Sequence, residues 1–275
     1  MIPAGRQFYK MSGSGNDFVF VDARTEPAGP LAKPEVVGAI CSRGTGIGAD
    51  GVVFLETTSK ADIRLVYLNA DGTRADLCGN ATLCTARLSR ELGVVTRGEF
   101  QIETDSGVLA ARFVGDAPEI DLKPVSECRP DAGIPLAAGE RRMGFALAGV
   151  PHLSILVDDV ESVDVVGRGR PLRRHVSLKA GANVNFVKDL GGGHFRYRTY
   201  ERGVEAETLA CGTGAVATTV LLAQWGLTTT QARLMTRSGR ELQVRLSGPP
   251  AAQTPSLSGE ARIVFTGRFG ELPGI

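Results

Sequence analysis

Along this chain, hydrophobic and polar positions alternate in short runs far more often than they recur at helical spacing. Ile63-Arg64-Leu65-Val66-Tyr67 and Phe195-Arg196-Tyr197-Arg198-Thr199 change face at every residue, the period of a half-buried strand. Residues 99–103, 107–114 and 118–122 do the same and predict an antiparallel meander. Further strands are expected at 8–10 and 18–22, around a Gly13-Ser14-Gly15-Asn16 turn, and at 52–56, 153–157, 183–188, near 232–236 and at 241–246. Helical spacing is confined to 34–42, with Pro34 in the first turn, and to 83–92 and 216–224. The Pro-, Gly- and Ala-rich stretch 124–142 predicts a boundary between a first domain, 1–125, and a second, 126–259. Residues 249–255 predict a disordered loop, and the strand that follows, 261–266, is open to either domain, so that about 260–275 can return to the first.

The two halves share more than alternation. Asp76-Leu77-Cys78-Gly79-Asn80-Ala81-Thr82 and Leu209-Ala210-Cys211-Gly212-Thr213-Gly214-Ala215 are near-copies, each followed by a predicted helix. Asn69-Ala70-Asp71-Gly72 begins nine residues before Cys78, and Glu201-Arg202-Gly203 ten before Cys211. Thr104-Asp105-Ser106-Gly107 matches Thr236-Arg237-Ser238-Gly239, and Asn16-Asp17-Phe18-Val19 resembles Asn185-Phe186-Val187 and its neighbours. A repeat of half the chain reads as two related domains; solenoid periods are only about 20–50 residues. A thiol just before a helix meets unpaired backbone N–H groups and the positive end of the dipole, which favour its thiolate. One such cysteine suggests a nucleophile. Two, from equivalent halves, suggest a pair of proton carriers on one substrate.

Composition narrows the field. A net charge of +1 over 275 residues lacks the basic footprint of nucleic-acid binding, and aromatics for base stacking are sparse. Arg141-Arg142 and the arginines of 168–174 are expected in solvated loops. The most apolar stretch, 143–157, is interrupted by Pro151-His152 and is too short to span a bilayer. Five cysteines without disulfide-like spacing, and no secretory pattern, predict a cytosolic protein with thiols. Glycine, 35 of 275, clusters beside the repeated motifs, where backbone would approach a ligand.

Other chemistries fit poorly. Gly46-x-Gly48-x-x-Gly51 has the letters of a dinucleotide fingerprint, but a helix precedes it and a strand follows, the inverse of what that fingerprint needs. His152, His175 and His194 lack metal-ligand spacing, so no metal and no cofactor are expected. No Gly-x-Ser-x-Gly elbow is present. Cys41, Cys84 and Cys128 read as small core residues, and His152, taken alone, as a turn histidine.

Together with Lys10-Met11-x-Gly13-x-Gly15-Asn16-Asp17-Phe18, Gly48-Ala49-Asp50-Gly51, Pro151-His152 and Glu207-Thr208-Leu209-Ala210-Cys211-Gly212-Thr213-Gly214, these motifs make almost the whole chain resemble the diaminopimelate epimerases, pyridoxal-independent two-cysteine enzymes. The resemblance implies an α/β (α+β) fold of two pseudo-symmetric domains, each with antiparallel strands wrapped around a central helix, an active site in the interdomain cleft, and a homodimer. It implies epimerisation of LL- to meso-2,6-diaminopimelate, a step of lysine and peptidoglycan precursor synthesis, with Cys78 and Cys211 as the two bases. His152 and Glu201 are implied as assistants, to Cys78 and Cys211 respectively. Gly79, Asn80, Gly212 and Thr213 would present N–H groups to the α-carboxylate, and Asn16, Asn69, Asn183 and Arg202 would bind the rest of the substrate.

The chain departs from the family pattern at three points. Val150 stands where an asparagine is usual, Leu83 where an arginine is usual, and one extra residue separates Gly203 from Glu207. The cysteines and their assistants are retained, so these changes bear on recognition at the distal end of the substrate. Two other readings stay open at this level: a racemase of another α-amino acid, and a binding protein that holds a carboxylate without chemistry.

Overall fold

The computed structural model describes residues 5–249 and 253–271. In chain order, its first half forms β1 (Gln7–Gly13), β2 (Asn16–Asp22), α1 (Pro34–Cys41), β3 (Gly51–Glu56), β4 (Ile63–Asn69), β5 (Arg74–Ala75), α2 (Gly79–Glu91), β6 (Glu99–Thr104), β7 (Gly107–Val114) and β8 (Ala117–Asp121). The second half forms β9 (Cys128–Arg129), β10 (Glu140–Ala148), β11 (Val150–Val157), α3 (Val165–Arg173), β12 (Asn183–Asp189), β13 (His194–Glu201), β14 (Ala206–Thr208) and α4 (Gly212–Gln224). It ends with β15 (Gln231–Met235), β16 (Glu241–Ser247), β17 (Thr254–Gly259) and β18 (Arg262–Arg268). Two compact units result: one runs to Ile120 and resumes at Gly259, and the other is Asp121–Ser258.

Each unit repeats one topology. In the first, β2 pairs with β1 and β3, β3 with β4, and β4 with β5 and β6, while β6 continues into β7. In the second, β11, β10, β12, β13, β14, β15 and β16 make the equivalent pairs. The pairs β2–β3, β4–β6, β11–β12 and β13–β15 are parallel, and the others are antiparallel. Parallel neighbours need a crossover of about a dozen residues or more. The four helices are those crossovers. β18 returns to pair with β1 from Gln7↔Arg268 to Ser12↔Arg262.

Ten of the 13 residues of α2 are buried, and ten of the 13 of α4. A helix buried on nearly every face has to be enclosed. α2 packs against β1, β2, β4 and β18, and α4 against β10, β11, β12, β15 and β16. Their buried threonines satisfy their hydroxyls locally: Thr85 Oγ1 donates to Ala81 O at 3.0 Å, Thr219 Oγ1 to Ala215 O at 2.9 Å, and Thr218 meets Ser154 at 2.8 Å. The outer sheet faces bury α1 around Val36, Val37 and Ile40, and α3 around Val165 and Leu172. The first hairpin turns through Ser14 and Gly15, both left-handed (φ 54° and 111°).

Several expectations change. Residues 168–173 are not a loop but most of α3, whose N-cap Asp164 accepts from Gly167 N at 2.8 Å. Gly167, Gly169 and Pro171 all lower helix propensity and hid it. The bare face of Gly169 is needed, since a Cβ there would lie 2.7 Å from the Tyr200 side chain. Arg168 and Arg173 are tied to Glu140 and Glu205, each at 2.8 Å, and Arg141 and Arg142 lie in β10. The apolar stretch 143–157 is a hairpin folded at Gly149 (φ 73°), which puts His152 inside a strand and not in a turn. Thr254 and Pro255 begin β17; of the expected loop, residues 250–252 lie outside the described residues. Cys41 and Cys84 are buried, as small core residues are, and Cys128 is half-buried.

Candidate functional site

Both repeated cysteines are helix N-caps. Cys78 has φ −134° and ψ 114°, Cys211 φ −132° and ψ 111°, and the helices begin at Gly79 and Gly212, earlier than the apolar runs suggest. An α-helix leaves its first N–H groups without intrahelical acceptors, so those following each cysteine are donors aimed past the helix end. Thr82 N to Cys78 O and Ala215 N to Cys211 O, both 2.9 Å, close the first turns.

In the first unit, Asn80 is 2% exposed, and its Nδ2 donates to Asn16 Oδ1 at 2.5 Å. Asn16 in turn donates to Asp50 Oδ2 at 3.1 Å. Behind them Lys10 Nζ meets Asp17 at 2.5 Å, and Arg43 bridges Asp17 and Asp50 at 2.6 and 2.8 Å. This ion cluster ties the β1–β2 hairpin to the loop before β3. Burial works against the Asp17 carboxylate, but hydrogen bonds from Arg43 and Lys10 prevail and hold its pKa below the ordinary value. Gly13 has to be glycine: a Cβ would sit 2.9 Å from Asn80 O and 3.1 Å from Cys84 Sγ. Asn69 lies at the end of β4 opposite Gly51, its Nδ2 donating to Thr73 Oγ1 at 3.0 Å.

In the second unit, His152 is fully buried, with Nε2 3.1 Å from Thr213 Oγ1 and Nδ1 3.3 Å from Asn185 Nδ2. Thr213 Oγ1 lies 3.7 Å from Cys211 Sγ. Within this unit, then, the thiol that His152 reaches is Cys211, through Thr213. Tyr197 OH donates to Asn185 Oδ1 at 2.8 Å and stands 3.4 Å from Cys211 O. Glu201, at the end of β13, accepts from Thr208 Oγ1. Asn183 lies opposite His152 in the β11–β12 register and accepts from Arg202 N at 2.7 Å, while Arg202 Nη1 donates to Ala180 O at 2.8 Å.

Burial, with a smaller effect from the charge of Arg202, pushes the His152 pKa down to about 3. The imidazole is therefore neutral near pH 7 and works as a hydrogen-bonding group. Burial raises Cys41 to about 11 and holds Cys84 well above its ordinary value, so neither competes as a nucleophile. Asn185, Tyr197, Lys10, Arg43 and Asp50 join the site residues only in three dimensions. One signal was present: Asn183 and Asn185 are two apart in a strand and so share a face. Among the described residues, no group of His, Cys, Asp and Glu side chains could hold a metal ion, and no helix is long and apolar enough to cross a membrane.

The departures have places too. Leu83 is fully buried in α2, and Val150 is half-buried at the start of β11. The lengthened turn after Arg202 carries Glu205 in a left-handed conformation (φ 59°), bound to Arg173 at 2.8 Å and to Tyr200 OH at 3.2 Å.

The family model for diaminopimelate epimerase matches residues 8–125 and 145–264. Diaminopimelate epimerase of Gemmatimonas aurantiaca is 50% identical over 96% of this chain and 99% of its own length. That of Aquifex aeolicus is 35% identical over 96% of this chain and 98% of its own. Among solved structures, a Bacillus anthracis phenazine biosynthesis protein of the PhzF family has a TM-score of 0.75 at 14% identity, covering 96% of this chain and 98% of that one, a likeness of fold alone. With two cysteine-capped helices in a duplicated fold and relatives matched over nearly their full length, the chain belongs to the diaminopimelate epimerase family.

Proposed function

We propose that this chain interconverts LL- and meso-2,6-diaminopimelate without a cofactor, using Cys78 and Cys211 as the two proton carriers. The observation that carries the reading is the matched pair of thiols, each capping a buried helix in the same backbone conformation. Inverting an α-carbon requires a base on one face and an acid on the other. One cysteine, as thiolate, takes the α-proton, and the other, as thiol, returns a proton from the opposite side; the roles exchange for the reverse reaction. The intermediate carries its charge into the α-carboxylate. Backbone N–H groups of Gly79, Asn80, Gly212 and Thr213 are preorganised donors for that charge.

Asn16, Asn69, Asn183 and Arg202 hold the remainder of the substrate in this reading, with the Arg202 guanidinium a fork for the distal carboxylate. Glu201 and His152 assist as hydrogen-bonding groups. A homodimer in the cytoplasm, at the step supplying lysine and peptidoglycan precursors, completes the proposal.

A second reading keeps the mechanism and changes the amino acid. It is favoured by the apolar burial of Leu83 and the valine at position 150. Proton NMR of reduced protein in D₂O with LL-diaminopimelate separates the two. Loss of an α-proton signal with meso product appearing supports the first. No exchange from folded, reduced protein, and exchange with another amino acid, moves the assignment to the second.

A further inference from the structure

We propose that Asn185, His152 and Thr213 form a one-way relay of hydrogen bonds that ends on the Cys211 sulfur and favours its thiolate, with Asn185 setting the direction. The inference rests on the reading that Cys211 exchanges a proton with substrate, and it adds the side chains that prepare this thiol.

Direction follows from the one group that cannot switch roles. Leu153 O only accepts, and it lies 2.9 Å from Asn185 Nδ2, which orients the amide. Oδ1 on the other side then accepts from Tyr197 OH at 2.8 Å and from Thr199 Oγ1 at 3.0 Å. Nδ2 also lies 3.3 Å from His152 Nδ1 and 3.5 Å from Ser154 Oγ; because an amide nitrogen only donates, Nδ1 is the acceptor of the ring. A neutral imidazole carries one proton, which is left on Nε2 and donated to Thr213 Oγ1 at 3.1 Å. The threonine hydroxyl, already accepting, turns its own hydrogen to Cys211 Sγ at 3.7 Å. Each member donates toward sulfur, and donation to the anion is the stronger interaction.

Burial keeps the relay intact. Asn185 and His152 are fully buried, so water does not compete, and the ring stays neutral down to about pH 3. The glycine at 214 makes the space: a Cβ there would lie 2.3 Å from Tyr197 OH and 2.5 Å from Asn185 Oδ1. The ionisable groups around the relay are Tyr197 on β13 and Glu201 and Arg202 at its end, with His152 itself on β11. At the matching position of the other repeat stands Asn80, whose Nδ2 donates to Asn16 Oδ1 at 2.5 Å. The two halves are thus alike in backbone and differ in the side chain that follows the first glycine of the helix, Asn80 in one and Thr213 in the other.

Asn185 and His152 are positioning residues here, and the test reads the thiol directly. In a Cys78→Ser background, iodoacetamide alkylation of Cys211 is followed by peptide mass spectrometry across a pH series. Thr213→Val is expected to raise the midpoint of the profile by about one pH unit or more, the size of one lost hydrogen bond to a charged group, and Thr213→Ser to restore it. Asn185→Leu is expected to act in the same direction. Should that variant not fold, long-range ¹⁵N–¹H NMR of His152 in the unsubstituted protein replaces it: a proton on Nε2 supports the relay and a proton on Nδ1 overturns it. An unchanged midpoint in folded Thr213→Val also overturns it. Solvent exchange of the substrate α-proton distinguishes the two levels. If exchange persists in Cys211→Ala, the functional reading fails; if it needs Cys211 while the midpoint does not move, only the relay fails.

Discussion

Gly214 is the third residue of α4, where replacing glycine by alanine would ordinarily stabilise a helix by about 1 kcal/mol. Here the opposite is expected. The added Cβ would lie 2.3 Å from Tyr197 OH, 2.5 Å from Asn185 Oδ1 and 3.2 Å from Cys211 Sγ, and both side chains are buried and hydrogen-bonded to each other at 2.8 Å. Neither can swing into solvent, so the helix start or strand β13 has to shift by several tenths of an ångström. Overpacking of this kind costs about 1–3 kcal/mol, and a lost Tyr197–Asn185 hydrogen bond adds about 1 kcal/mol. Set against the propensity gain, the balance is about 1–3 kcal/mol of destabilisation, a fall in melting temperature of about 3–10 °C for a unit of this size. The larger effect is on chemistry, because the shift moves the Cys211 cap itself, and misplacement by about 1 Å can cost about 10²-fold in rate. Calorimetry and α-proton exchange in D₂O on Gly214→Ala measure the two effects. A variant that melts at or above the parent temperature with unchanged exchange would refute the steric argument. Adding Tyr197→Phe to Gly214→Ala removes the nearest obstructing atom and should recover part of the loss.

Three further outcomes are expected. Cys78→Ala and Cys211→Ala should each lower epimerisation by at least the ~10²–10⁴-fold typical of losing one general acid–base group; full activity in either would contradict the two-thiol mechanism. Because His152 is held neutral with a pKa of about 3 against about 6.5 when unfolded, the unfolded chain binds the extra proton first. Its contribution is complete above about pH 6.5 and is lost as pH falls toward 3, by about 2–3 kcal/mol between pH 6.5 and 4.5. Urea midpoints across that range should fall more steeply for the parent than for His152→Gln, and equal slopes would show that His152 is not the group responsible. Ser14 is fully buried and left-handed (φ 54°), and its hydroxyl has no hydrogen-bond partner among the described residues. Ser14→Gly should therefore gain about 1 kcal/mol from relieved backbone strain and removal of a buried unpaired hydroxyl. A lower melting temperature would count against both causes.

Much of the fold was legible in the sequence because alternation and capping are local. β4, β6, β7, β8 and β13 fall where the period of two places them, and α1 begins at its proline. α3 was hidden because its two glycines and its proline argue against a helix, whereas burial of Val165 and Leu172 and the Asp164 cap outweigh them. β10 was hidden because an apolar run gives no sign of where a hairpin folds back, and only the left-handed Gly149 marks it.

The sequence by itself determined the duplication, the placing of Cys78 and Cys211 at helix starts and the family to which the chain belongs, since each rests on residues close together in the chain. Tertiary structure alone decided that β18 pairs with β1, that four strand pairs are parallel, and that Asn185, His152 and Thr213 meet beside Cys211. Those residues come from β11, β12 and α4, and the hydrogen bonds that join them exist only after parallel pairing has closed the crossovers between them. Nothing in the local pattern encodes that distance.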